Sequence, residues 1–250
     1  MCIRDSAIII KNDSHRLWKE LNQEDTIAVA QVAPAVRVAV AKEFGYNGEN
    51  VMGKIVAALR RIGFNYIFDT STAADLTVME ESKEFADRLA NGGKLPLFTS
   101  CCPAWIKYAE NEYPEILPNI STCRSPMQMF ASVINEKFKG EGKKILSVAV
   151  MPCTAKKGEA ARDEFKDENG KPLVDFVITT QELIMMIKEA GIVFNEIEPE
   201  AVDMPFGTMT GAGVIFGVTG GVTEAVIRRV STDKSLASLR NLAFEGVRLS

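Results

Sequence analysis

Histidine is almost absent from this sequence: of 250 residues only His15, near the amino end, is one. That argues against mechanisms resting on a histidine base or on histidine metal ligands. Long apolar runs are missing too. The most apolar stretches, residues 26–41 and 211–222, are interrupted by Gln31, Pro34 and Arg37 or are rich in glycine. Neither reads as a membrane span, which needs about 20 apolar residues. Only four apolar residues, Ala7 to Ile10, follow the opening Met-Cys-Ile-Arg-Asp-Ser, too few for a secretory signal. A soluble, cytoplasmic protein with no membrane span is the expectation. Nor is there an excess of positive charge. With 29 basic and 33 acidic side chains the net charge is −4, which argues against a nucleic-acid partner. Cysteine is scarce and odd in number: Cys2, Cys101, Cys102, Cys123 and Cys153. Five irregularly spaced thiols in so long a chain do not make a disulfide framework. Reduced cysteines kept for chemistry or packing fit better.

What is present is an ordinary globular composition, 46% hydrophobic and 25% charged, enough for one large core or two smaller ones. Apolar runs bounded by Gly, Pro or polar residues alternate with segments of helical period. Strands are predicted over Thr26–Ala33, Tyr66–Thr70, Leu95–Thr99, Ile145–Met151 and Asp175–Thr179. Helices are predicted over Pro34–Phe44, Val51–Ile62, Ala73–Ala90, Pro103–Asn111, Pro126–Phe138, Thr180–Ala190 and Gly213–Val230. This alternation implies an α/β fold: two lobes of mostly parallel sheet flanked by helices, with a site in the cleft between them. The Gly/Lys-rich stretch Lys139–Lys144 divides the lobes, at 17–140 and 141–250, and the charged segment Arg162–Lys171 reads as an exposed loop. Residues 1–16 read as a remnant outside the fold, and the first six match nothing that follows. The last strand-like run, Ser238–Arg248, stops without a capping element, so the second lobe is expected to be incomplete.

Two cysteine motifs stand where strands end and helices begin. In Thr99-Ser100-Cys101-Cys102-Pro103-Ala104-Trp105, proline suits the first helical position and puts Cys102 at or beside the N-cap. There the helix dipole and free N–H groups favour thiolate. Adjacent residues at a strand end point to different sides, so one thiol can bind metal while its neighbour faces another cavity. The same pair would also serve as two small buried apolar residues. Met151-Pro152-Cys153-Thr154-Ala155-Lys156-Lys157-Gly158-Glu159 repeats the arrangement about fifty residues later. In open α/β sheets ligands gather beyond the carboxyl ends of strands, so the two thiols can converge on one site. With so little histidine, soft thiolates point toward an iron–sulfur centre more than toward zinc.

These two motifs, TSCCPAW and MPCTAKKGE, resemble the first two signatures of the iron-only ([FeFe]) hydrogenases. The likeness extends to residues 31–45, 68–81, 113–130 and 206–229, in the family's order, and covers roughly residues 17 to 248. The resemblance implies reversible oxidation of H₂ to protons and electrons. It implies an H-cluster: a [4Fe–4S] cubane joined through a cysteine sulfur to a diiron unit carrying CO, cyanide and a bridging dithiolate. By motif position Cys102 and Cys153 would be two of the four cubane ligands. The family's other two lie in a third motif with a Cys-x-x-x-Cys pattern, and no cysteine follows Cys153. The fragment alone is therefore expected not to build a complete cluster.

The same resemblance assigns a proton path. Glu81, Glu84 and Arg88, spaced i, i+3 and i+7, share one helix face, which by itself reads as a solvated stripe with an ion pair. In similar hydrogenases the proton passes a cysteine, a glutamate, a serine and a second glutamate. Those positions here are Cys101, Glu81, Ser121 and Glu84, with Arg88 near the exit. Lys156 matches the lysine that hydrogen-bonds one cyanide. Its other reading is a cation poorly placed in a first helical turn, which itself suggests an anionic partner. Backbone N–H groups near Pro34 and Ala35 would serve the other cyanide, and Glu159 would join the polar network. Met151, Pro126 and Phe216 would wall the diiron site, and Met127 stands where relatives often carry glutamine. Cys123 reads as packing.

Electrons would be exchanged with ferredoxin, another carrier or an attached iron–sulfur domain; further clusters would sit upstream, and maturation machinery would install the diiron unit. A second reading is a non-catalytic relative, a hydrogen sensor or an iron–sulfur assembly factor. Such relatives commonly lose the relay cysteine or the pocket lysine, and Cys101 and Lys156 are both present. A nucleotide-binding reductase is weaker. The glycine run 211–217 is spaced GxGxxxG rather than GxGxxG, and close helix packing against the cluster explains it better.

Overall fold

The apolar runs become parallel strands. In the computed structural model, which describes residues 10–206, 210–217 and 220–231, four strands form one sheet. They are β1 (Thr26–Val32), β2 (Tyr66–Asp69), β3 (Lys144–Met151) and β4 (Phe176–Thr179), in the order β2-β1-β3-β4. β1 runs parallel to β3 from Thr26↔Lys144 to Val32↔Val150, and β3 parallel to β4 from Val148↔Phe176 to Met151↔Thr179. A parallel sheet needs crossovers and is covered on both faces, so its strands read as unbroken apolar runs. Val29, Ala30, Val148, Ala149, Val150 and Ile178 are accordingly all buried.

Helices supply the connections. α1 (Ser14–Leu21) precedes β1, and α2 (Pro34–Glu43) and α3 (Met52–Ile62) link β1 to β2. α4 (Ser71–Asn91), α5 (Pro103–Glu112) and α6 (Pro126–Lys137) fill the long excursion from β2 to β3. α7 (Ala155–Ala160) follows β3, and α8 (Thr180–Glu189) follows β4 behind a capping box between Thr179 and Glu182. α9 (Gly211–Ile215) and α10 (Gly221–Val230) come last among the described residues. The expected single helix Gly213–Val230 is thus broken. Gly220 takes φ +74° as the N-cap of α10, a conformation glycine accepts and other residues resist.

The chain forms two compact units. One runs to Ile67 and resumes over Asn135–Ala201; the other covers Phe68–Ile134 and resumes at Val202. This differs from a linear division at residues 140 and 141. Strand β3 lies after that line yet is hydrogen-bonded along its length to β1, which lies before it. The expected strand at Leu95–Thr99 is likewise reduced to a single parallel bridge, Phe98↔Ile120. Pro96 has no N–H to give a ladder, and outside β2 the second unit's described residues hold no named strand. The α/β class stands, with one parallel sheet rather than two among those residues.

In the first unit Leu17, Ile55, Leu59, Leu183 and Phe194 are fully buried, and Phe194 stacks on Phe44 at 4.3 Å between ring centroids. The second unit centres on Phe68, Phe130 and Phe206, whose rings lie 5.5–5.6 Å apart. Gly213 of α9 packs on α4 so closely that a Cβ there would stand 2.4 Å from the Ser71 carbonyl oxygen. In the glycine-rich run Gly213 thus serves close packing on α4, where packing against a cluster was expected. No helix among the described residues is long and apolar enough to cross a membrane. Cys2 and the run Ser238–Arg248 lie outside the described residues.

Candidate functional site

In the first unit the sheet register aligns two adjacent strand ends. β1 ends at Val32, opposite Val150 of β3, and the Ala33 N–H donates to the Val150 carbonyl at 3.0 Å. The chain then enters α2 with Pro34 at its first position, where the Ala35 N–H belongs to the first turn, whose donors have no helical partner. β3 ends at buried Met151, and Cys153 follows it, half-buried, before α7. So Pro34, Ala35, Met151, Cys153, Lys156 and Glu159 all emerge at the carboxyl edge of one parallel sheet, where open α/β folds bind ligands.

The two lysines of α7 differ in partner. Lys157 Nζ donates to Asp13 (3.0 Å), to Glu182 (3.0 Å) and to the Val177 carbonyl (2.7 Å), in a network that is almost fully buried. Lys156 Nζ bonds Glu159 Oε2 at 2.5 Å, one turn along, with both side chains largely buried. The anion that the position of Lys156 called for is supplied, at least in part, by the chain itself.

In the second unit the bridge at Phe98 lays residues 98–102 beside residues 120–123. The Ser121 N–H donates to the Phe98 carbonyl at 2.7 Å, and the Ser100 hydroxyl to the Cys123 carbonyl at 2.5 Å. Cys102 is the N-cap of α5 with Pro103 at the first helical position, as the motif predicted; its side chain makes no capping bond and is exposed. Cys101, next to it, is half-buried.

Facing this pair of segments, α4 presents Glu81, Glu84 and Arg88. The Ser121 hydroxyl donates to Glu84 Oε2 at 2.7 Å, and the Thr122 N–H donates to the same oxygen at 3.0 Å. Arg88 bonds Glu84 Oε1 at 2.6 Å and also donates to the carbonyls of Lys94, Pro118 and Ile120. Glu84 is thus heavily solvated by protein. Glu81 is the opposite. It is 1% exposed, and neither carboxyl oxygen has a hydrogen bond of regular geometry among the described residues.

The two carboxyls are pushed apart in acidity. Burial raises Glu81 to a pKa of about 7; the nearby Ser121 hydroxyl and Ser100 N–H pull it down without winning, and the charge of Glu84 adds to the rise. Burial also raises Glu84, but Ser121, the Thr122 N–H and Arg88 outweigh it and hold that carboxyl below its usual range. Near neutral pH one carboxyl therefore exchanges its proton readily while the other stays ionised. Carboxyl pairs split in this way mark acid–base function.

One group is placed here that the sequence gave no reason to single out. Cys123 Sγ lies 3.6 Å from Glu84 Oε2, and the pair faces a recess of about 430 Å³ bordered by Glu80, Asp87, Arg88 and Thr122. Burial, together with the negative charges of Glu81 and Glu84 and despite Ser121, raises the Cys123 thiol to about 11. It stays protonated, a neutral hydrogen-bond donor rather than a nucleophile. Only the family position of the segment, not its composition, hinted at this neighbourhood.

The predicted residues thus fall into two groups. Pro34, Ala35, Met151, Cys153, Lys156 and Glu159 stand together in the first unit; Glu81, Glu84, Arg88 and Ser121 stand together in the second. Cys101, Cys102, Pro126 and Phe216 also belong to the second unit; Pro126 opens α6, Phe216 follows α9, and both are half-buried. Met127 is buried in α6. As donors for an iron–sulfur centre, Cys102 and Cys153 are chemically apt, being free thiols beside helix starts. Such a centre commonly takes four donors. Among the described residues no three His, Cys, Asp or Glu side chains gather in metal-holding geometry.

The fold is α/β: in the first unit a parallel sheet sets Cys153 beyond the end of β3, and the second unit holds Cys101, Cys102 and a split carboxyl pair. The family is defined by comparison. Residues 26–250 match the model for the iron-only hydrogenase large subunit, C-terminal domain, and the chain belongs to that family. It is 45% identical over 239 residues to the NADP-reducing hydrogenase subunit HndD of Solidesulfovibrio fructosivorans, covering 91% of this chain and 41% of that one. It is 40% identical to iron hydrogenase 1 of Clostridium pasteurianum, covering 97% and 43%. It is also 32% identical to the cytosolic Fe-S cluster assembly factor narfl of Danio rerio, covering 83% and 54%. Among solved structures, apo [FeFe]-hydrogenase HydA1 from Chlamydomonas reinhardtii superposes with a TM-score of 0.75 at 39% identity, covering 88% of this chain and 58% of that one. The chain therefore spans about half the length of the relatives it matches.

Proposed function

We propose that this chain forms part of an enzyme that reversibly oxidises H₂ to protons and electrons, and that its second unit carries the proton. The observation that carries this reading is the Glu81–Ser121–Glu84 arrangement: a buried carboxyl poised near neutrality, a hydroxyl, and an ionised carboxylate on the recess side. Heterolytic cleavage of H₂ releases a proton that must leave a water-poor site through groups of graded acidity. Cys101 would receive it and Glu81 would hold it. Ser121 would relay it to Glu84, where Arg88 keeps the carboxylate ionised at the exit.

Cys102 and Cys153 would hold the cubane part of an H-cluster, Lys156 and the Ala35 N–H would meet its cyanides, and Pro126, Met151 and Phe216 would exclude water. When bound, that cluster supplies the redox chemistry on H₂. Glu159 would orient Lys156, as their 2.5 Å bond supports. Ferredoxin or a linked iron–sulfur module would take the electrons, and maturation machinery would deliver the diiron unit. The test is H₂ evolution by the longer protein of which this chain would form part, matured with the diiron unit, compared with its Cys102→Ala and Cys153→Ala variants. Loss of both the infrared CO/CN bands and activity in each variant is expected; retained bands with either thiol removed would overturn the ligand assignment.

A second reading has the similarity to narfl behind it: an iron–sulfur assembly factor of the same fold. It predicts cluster binding without H₂ turnover in the matured protein.

A further inference from the structure

The helix that carries Lys156 is poorly equipped to hold its own orientation. α7 has six residues, no side-chain bond at its N-cap Thr154, and Gly158 in its interior. Isolated helices shorter than about 12–15 residues are marginal in water, and glycine weakens a helix further, so packing must fix such a turn in place. Lys157 supplies the fixing. An ammonium has three protons to donate, and Lys157 Nζ directs them at three acceptors on three other elements. These are Asp13 Oδ2 at the N-cap of α1, Glu182 Oε1 in α8 and the Val177 carbonyl of β4. The acceptors are held in turn. Glu182 Oε2 accepts from the Thr179 N–H at 2.7 Å within the capping box of α8, and its Oε1 also accepts from the Asp13 N–H at 2.8 Å. Successive residues on a helix point about 100° apart. With Lys157 seated in this socket, Lys156 is directed to another side of α7, where it meets Glu159 one turn on.

We propose that Lys157 is a positioning residue: by docking α7 on α1, β4 and α8 it sets the rotation of that helix, and with it the direction of Lys156 and the placement of Cys153 at the carboxyl edge of the sheet. The proposal rests on the reading of Lys156 and Cys153 as cluster-facing residues; Lys157 itself touches no reacting group. It also gives Asp13, ahead of the sheet in sequence, a hold on the helix that follows β3. A residue that only stabilised the unit would weaken all its elements together, whereas the anchor of one short helix frees that helix first.

Native-state hydrogen exchange on the full chain, without cluster, is the first test. The Ala161 and Arg162 N–H groups, bonded to the carbonyls of Gly158 and Glu159, report on α7; the Ala149 and Val150 N–H groups report on β3. Lys157→Met should speed exchange at the α7 pair at least about tenfold more than at the β3 pair. Asp13→Asn keeps the size of the socket but removes one of its charges; it should act in the same direction, by about threefold or more, and it decides the case where Lys157→Met does not fold. The second test is infrared spectroscopy of the longer protein matured with the diiron unit. Both variants should shift a cyanide band, as Lys156→Met does, whereas Leu59→Ala, which opens the fully buried core under α3, should leave the bands in place. Equal acceleration of α7 and β3 amides in both variants, or cyanide bands unmoved in both, would overturn the proposal. A parent protein without CO/CN bands would count against the hydrogenase reading, and the exchange result would still decide the role of Lys157.

Discussion

Ser121 and Glu84, one on the segment after the Phe98 bridge and the other on α4, share a 2.7 Å hydrogen bond in which the hydroxyl donates to Oε2. The hydroxyl has one proton to give, so while it serves Glu84 its oxygen is left as an acceptor on the Glu81 side.

Ser121→Ala should therefore raise the pKa of Glu84 back toward the ordinary glutamate range. Carboxyl ¹³C NMR titration reads this directly. In matured protein the same variant should lose at least about tenfold in H₂ turnover, with Ser121→Thr restoring most of it, because proton transfer by a positioned group contributes about 10²–10⁴-fold. An unmoved Glu84 titration would remove Ser121 from the relay.

Cys101→Ser keeps a hydrogen-bonding group but raises the acid's pKa far above that of a thiol, which is about 8.5. Turnover should collapse by about 10²-fold or more while infrared CO/CN bands from matured protein remain. Normal turnover would refute the relay role of that thiol.

Glu81 makes stability fall with pH. Its folded pKa of about 7 lies above the ordinary value of 4.5, so between those two the folded state holds a proton that the unfolded chain has released. Stability is full below about 4.5, declines as pH rises to about 7 and is level beyond. The loss is about 3 kcal/mol at most, from the 1.36 kcal/mol attached to each pKa unit. Glu81→Gln should remove this decline and be the more stable protein at pH 8. Urea denaturation at pH 5 and pH 8 measures the difference, and parallel profiles for the two proteins would contradict it.

Lys157→Met should destabilise the first unit by about 3–5 kcal/mol, since it leaves the carboxylates of Asp13 and Glu182 buried without their shared cation. The depressed pKa of both carboxyls should also return upward in the variant. Denaturation midpoints and carboxyl titration test it; a loss below 1 kcal/mol would mean that water replaces the ammonium.

Much of this was legible in the chain. Strands β1, β3 and β4 were readable because buried parallel strands are unbroken apolar runs with polar or Gly-rich borders. The Cys102-Pro103 helix start followed from proline's missing N–H, and the face shared by Glu81, Glu84 and Arg88 followed from helical spacing. Other features needed contacts that no local pattern carries. Helix α1 was missed because its eight residues are too few for a helical period to stand out and begin inside the stretch 1–16 read as lying outside the fold, where Asp13 and Ser14 are in fact buried. The pairing of β3 with β1 joins segments on either side of the Gly/Lys-rich stretch, so composition drew the boundary in the wrong place for the sheet. The split acidity of Glu81 and Glu84, three residues apart on one helix, comes from their surroundings: deep burial dominates at Glu81, while at Glu84 a hydroxyl, an amide and a guanidinium outweigh burial.

The sheet register has a consequence for biosynthesis. Thr26–Val32 finds its central neighbour only when Lys144–Met151 has left the ribosome, more than a hundred residues later. During that interval a mostly apolar ribbon waits with one edge unsatisfied, and closing so large a loop is slow compared with forming helices. The intervening helical unit is thus available to fold first, while nascent β1 is the segment most in need of shielding by a chaperone.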